Sequence, residues 1–97
     1  MISLSLISLP SFASKGDVVM MPDGCDYYIV ETRMGYAILE WFGGSTPSVG
    51  DTLVGDFESY GTKDIYNLSR RSKTRVWVEN YLMSQDDAVE GVYDKCN

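Results

Sequence analysis

From Lys15 onward, hydrophobic and polar positions alternate in short runs, with Gly, Pro, Asp and Ser gathered between them at fairly regular spacing. Period-two alternation broken by turn residues is how an antiparallel sandwich or small barrel reads in a sequence. Val18 to Met21 is the first run. Pro22-Asp23-Gly24 is the turn after it, Pro fixing one φ and Gly supplying a positive one. Tyr27 to Thr32, the tight connection Arg33-Met34-Gly35 and Tyr36 to Phe42 predict a hairpin. Within it Glu31 and Glu40 must face water, so Tyr28, Val30 and Thr32 share an inner face with Ala37, Leu39 and Trp41. A slip of one residue would bury both carboxylates.

Gly43 to Ser48 is dense in chain breakers and predicts a loop. Thr52 to Phe57 follows as a strand with Leu53, Gly55 and Phe57 on one face, the glycine marking a sharp bend or a close approach. Ser59 to Thr62 turns the chain again. Ile65 to Leu68 is a short strand, and Thr74 to Tyr81 a longer one whose Val76 and Val78 face away from Arg75, Trp77 and Glu79. The period then changes. Ser84-Gln85-Asp86-Asp87 matches a capping box, and Ala88, Val89, Val92, Tyr93 and Cys96 fall on one side of a helix over residues 84–95, with Glu90 and Asp94 on the other. The expected fold is mostly β: a five- to six-stranded antiparallel barrel or rolled sheet, with that C-terminal helix plugging or flanking one end. A chain of 97 residues encloses one core, so residues 15–97 are expected to form one domain.

Residues 1–14, MISLSLISLPSFAS, carry no charge. As the tail of a secretory signal they offer a short apolar run, a Pro10 break and small residues before cleavage after Ala13. As an edge strand they offer Ile2, Leu4 and Leu6 alternating with serine. Export or a periplasmic location is set ahead of the cytoplasm, although no Lys or Arg precedes the apolar run. The stretch is too short to span a membrane. Export would change the reading of the two cysteines: Cys25 and Cys96 are a disulfide candidate in an oxidising compartment and free thiols in a reducing one.

Charge and residue absences limit the chemistry. There is no histidine, which removes the commonest general base and the usual imidazole metal ligand. No metal or cofactor is expected. The net charge of -6 repels phosphate backbones at long range. Against that background Arg70, Arg71, Lys73 and Arg75 bring half of the 8 basic residues into one short segment. They form a candidate binding set for a phosphate, a nucleic acid or an acidic surface; the plainer reading is a solvated hairpin tip that protects a sheet edge. Trp77 beside them is a candidate stacking or interface residue, or else a ring covered by a neighbouring loop. Asp51, Asp56, Glu58 and Asp64 lack the oxygen-ligand spacing of a calcium loop. Val49 to Gly55 resembles the strand-entry phrase of many small barrels, oligonucleotide-binding ones among them, and seven residues carry no site across. The expected function is a small non-enzymatic module that binds another protein. The alternative is an anion- or nucleic-acid-binding barrel using residues 70–75 with Trp77, and a small hydrolase comes third.

Overall fold

The computed structural model describes residues 14–97; of the stretch 1–14 read as a signal-peptide remnant or edge strand, Ser14 is the first residue of a barrel strand and the rest lies outside the described part. Six antiparallel strands close into a barrel: β1 (Ser14–Met20), β2 (Tyr27–Thr32), β3 (Gly35–Gly44), β4 (Thr52–Gly55), β5 (Gly61–Asn67) and β6 (Ser72–Met83), followed by α1 (Gln85–Cys96). The order around the barrel is β1-β2-β3-β6-β5-β4. Two consecutive three-stranded meanders are therefore zipped together along β3–β6 and along β1–β4. Closure pairs both outer strands of each meander over part of their length, β4 meeting β5 at Leu53–Asn67 and Val54–Tyr66, and shields the sheet edges there.

The predicted hairpin holds its register. Thr32 faces Gly35 across a two-residue turn, and Tyr28, Val30 and Glu31 face Leu39, Ala37 and Tyr36. The inner face is as the alternation requires: Tyr28, Val30, Ala37, Leu39, Leu53, Phe57, Ile65, Val76 and Val78 form one buried cluster, with Trp41 packed against it. A Cβ on Gly55 would run into the Ile65 side chain, which is why the β4 position facing β5 carries none.

Several expectations need correction: β1 begins at Ser14, before Val18, and β3 runs on to Gly44, into the predicted Gly43–Ser48 loop. The strand predicted over Thr52 to Phe57 ends at Gly55, because Phe57 turns into the core from the following connection. β5 begins at Gly61, earlier than Ile65, since Gly61 to Asp64 find partners along β6 from Val78 to Arg75. The basic segment is only in part a loop: the turn covers residues 68–71 and β6 starts at Ser72, opposite Asn67. The helix plugs no barrel end. It lies along the outer wall of β2 and β3, where Ala88 and Val92 bury Ile29 and Ile38, while Tyr93 stays half exposed. Alternation sends Ile29 and Ile38 outward, and only a second layer can hide them.

Ser84 caps the helix, its hydroxyl accepting from the Asp87 amide at 3.2 Å. At the far end a Cys25–Cys96 disulfide, with Cα atoms 5.5 Å apart, ties α1 to the loop before β2. Covalent closure at one end and capping at the other hold a helix that fully buries only two of its own side chains, Ala88 and Val92.

Candidate functional site

β6 sets the candidate residues in a row. Lys73, Arg75 and Trp77 occupy alternate outward positions, facing Tyr66, Asp64 and Thr62 of β5. On the other side Glu40 of β3 sits opposite Trp77, and a register shift between Trp41 and Gly43 leaves Phe42 exposed beside it. The Phe42 and Trp77 rings stack with centroids 6.4 Å apart and planes 24° from parallel. Trp77 Nε1 donates to Glu79 Oε1 at 3.1 Å, which fixes the indole on the barrel wall. Phe42, Tyr66 and Trp77 are 50%, 41% and 36% exposed, so the stacked pair and, farther along the same wall opposite Lys73, Tyr66 all face water. Beside Phe42 lies a shallow depression of about 370 Å³, floored by Gly43 and Gly44 and bordered by Asp64, Lys73 and Arg75. A Cβ at Gly44 would press on the Lys73 carbonyl, and its φ of 76° already favours glycine.

The four basic residues do not converge. Arg70 is turned back to the barrel end, where its Nε donates to Asp51 Oδ2 at 2.7 Å and its Nη2 to Ser48 Oγ at 2.6 Å. The same Asp51 oxygen accepts from buried Asn67 at 2.9 Å and from the Ser48 amide at 3.0 Å. Burial works to raise the Asp51 carboxyl, but the bonds from Asn67, Ser48 and Arg70 outweigh it and hold the group below its ordinary value. This cluster ties the β3–β4 loop to the β5–β6 turn, so Arg70 acts within the fold. Arg71 takes a left-handed backbone, φ 55°, to close that turn. Arg75 is engaged by Asp64, with Nε–Oδ1 at 2.9 Å and Nη2–Oδ2 at 3.5 Å. Arg71 and Lys73 make no ion pair among the described residues.

Trp77 is where the alternation put it, on the outer face. Phe42 was missed as its neighbour, and Tyr66, opposite Lys73 four residues along β6, was missed as a further outward ring. Tyr66 could have been found from its spacing on β5, two positions from Asp64, whereas Phe42 depends on the register shift, for which Gly43-Gly44 is the only sequence trace. The acidic residues Asp51, Asp56 and Asp64 are each engaged by a different cation, and no group of three or more metal-ligating side chains converges among the described residues. No described helix is long and apolar enough to cross a membrane. Comparison of the chain with protein-family models, with curated proteins and with solved structures finds no match.

Proposed function

We propose that the chain is a small non-enzymatic interaction module that binds another protein outside the reducing cytosol. The observation that carries this reading is the exposed trio Phe42, Trp77 and Tyr66 on one wall of the barrel. Aromatic rings flanked by Arg are what the buried centres of protein interfaces are made of, and a fold gains nothing in stability by leaving them in water. Shielding these rings from solvent would release that unfavourable exposure, and the Arg75–Asp64 pair at the border supplies polar direction. The compartment rests on the Cys25–Cys96 bridge, since such bonds persist in oxidising surroundings.

Anion or nucleic-acid binding through residues 70–75 has less support. Arg70 and Arg75 already have carboxylate partners, and a net charge of -6 opposes approach to a polyanion. Affinity capture separates the two readings. The oxidised chain is immobilised and exposed at physiological salt to the extracytoplasmic fraction of its source, alongside a Phe42→Ala/Trp77→Ala variant. A stoichiometric protein retained by the wild type and lost with the variant is the expected result. Identical captures from both, or recovery of nucleic acid in place of protein, would end the protein-binding reading.

A further inference from the structure

Ion pairing is uneven around the barrel. Arg70–Asp51, Arg75–Asp64 and Lys63–Asp56 lie along β4, β5 and β6 or their connections, and Lys95–Glu79 links the helix end to β6. On the wall made by β1, β2 and α1, by contrast, Asp17, Glu31, Asp86, Glu90 and Asp94 join no ion pair among the described residues. Lys15 and Arg33 border Asp17 and Glu31, so five carboxylates here meet two cations. Asp86, Glu90 and Asp94 line the outer face of α1 with no cation among them, so part of the protein's excess negative charge lies on this side.

The same wall opens between β1 and the first turns of α1 into an apolar slot of about 210 Å³, walled by Val19, Met20, Ile29, Tyr36 and Val89. Glu31 and Gln85 stand at its rim, and Tyr36 Oη donates to Glu31 Oε2 at 3.2 Å. Through Gln85 and Val89 the slot runs into the outer face of α1, which carries Asp86, Glu90, Tyr93 and Asp94. Small-molecule sites occupy roughly 300–1,000 Å³, so a slot of this size suits one side chain of a larger partner. Its walls are set in advance, because Ile29 is buried under the helix and the Ser84 cap holds the helix start beside it.

We propose that this slot docks a cationic segment of another protein, an aliphatic side chain entering between Val19 and Val89 while flanking Lys or Arg residues meet Glu31, Asp86 and Glu90. Charge complementarity selects the partner: an apolar anchor site with Glu31 at its rim and the carboxylates of α1 on the adjoining face favours a basic segment and repels an acidic one. The inference rests on the reading of the chain as a protein-binding module but uses the wall across the barrel from Phe42 and Trp77, so each surface is tested separately.

The full-length oxidised chain is titrated with the peptide KRLRK, and amide shifts are followed by NMR, with KRGRK and EDLDE as controls. Expected are saturable shifts at Val19, Met20, Tyr36 and Val89 with KRLRK alone, weakening several-fold as salt rises from about 50 to about 300 mM. Val19→Trp, which fills the slot, and Glu90→Lys, which reverses a charge on the adjoining helix face, should each weaken binding about tenfold, on the order of what one lost anchor contact is worth. Trp77→Ala should leave it unchanged. Equal binding of KRGRK would reduce the surface to diffuse charge, and shifts confined to β5 and β6, or no shifts at low salt, would equally overturn the proposal. None of these results bears on capture through Phe42 and Trp77.

Discussion

The two outer walls of the barrel have been treated in opposite ways. On β2 and β3 the outward apolar residues Ile29 and Ile38 are 1% and 3% exposed, because α1 lies over them. On β5 and β6 the outward Tyr66 and Trp77 have no such layer and remain in water with Phe42. Charges follow the reverse pattern. The bare wall has its Arg75 matched by Asp64 and leaves one charge of each sign, Lys73 and Glu40, unmatched among the described residues, whereas the unmatched groups on the outer face of the helix, Asp86, Glu90 and Asp94, are all carboxylates. An outward hydrophobic residue that the chain covers for itself is part of the fold. One that it leaves bare is available to a second molecule, and the pairing of nearby charges then sets which molecule that can be.

The disulfide is the strongest lever on this contrast. The helix is amphipathic but short, and helices of this length are marginal without tertiary support. Cys25→Ser/Cys96→Ser should lower stability by about 2–5 kcal/mol, the usual range for removing a native bridge that closes a long loop. Hydrogen exchange should locate the loss: amides of α1 lose protection first, and those of β5 and β6 keep theirs. If protection falls uniformly around the barrel, the helix is not a separately held cover.

Truncation on the two walls gives the next largest difference. Ile38→Ala removes a side chain sealed beneath the helix and should cost about 2–4 kcal/mol in chemical denaturation, the range for large-to-small changes in a core. Phe42→Ala removes a larger ring from the bare wall and should cost under about 1 kcal/mol, because the ring is half exposed already. A Phe42 cost equal to that of Ile38 would mean that the stacked pair with Trp77 belongs to the fold.

Much of this contrast could be read from the chain. Alternation with Glu31 and Glu40 held outward fixed the inner face of the first hairpin, and Arg75, Trp77 and Glu79 fell outward by the same rule. What alternation cannot tell is which outward residues a later element will cover. Ile29 and Trp77 follow the same pattern, and only the path of a helix more than fifty residues after Ile29 separates them. The basic segment misled for a related reason. Adjacency in sequence suggested one cationic site, but a turn at residues 68–71 sends Arg70 back to Asp51 while strand pairing sends Arg75 across to Asp64. Side-chain partners that come from distant segments leave no local signature.

Acid should act at the barrel end next to the bare wall. The Asp51 carboxyl lies lower in the folded chain than in the unfolded one, so it adds stability above the unfolded carboxylate value, and that contribution is lost as pH falls through the folded one. Wild type should therefore lose stability below about pH 4 more steeply than Asp51→Asn. At neutral pH, Asp51→Ala should cost about 1–3 kcal/mol, since it strands the buried Asn67 amide and frees Arg70. Parallel acid profiles for wild type and Asp51→Asn would remove the tie from the account.

The finest test lies inside the covered wall, at Gly91 on the face of α1 turned toward β3. Replacing glycine by alanine in a helix ordinarily gains about 1 kcal/mol. Here the new methyl would stand 2.8 Å from Ile38 Cδ1, the flexible end of a buried side chain. Pushing that end off its rotamer costs about 0.5–1.5 kcal/mol, so Gly91→Ala alone should change stability by less than about 0.5 kcal/mol. In an Ile38→Val background the obstructing methyl is gone, and Gly91→Ala should then recover most of the gain. A double-mutant cycle reads the difference as a coupling between helix and strand, and a coupling of zero would place the helix farther from β3 than its buried Ala88 and Val92 require.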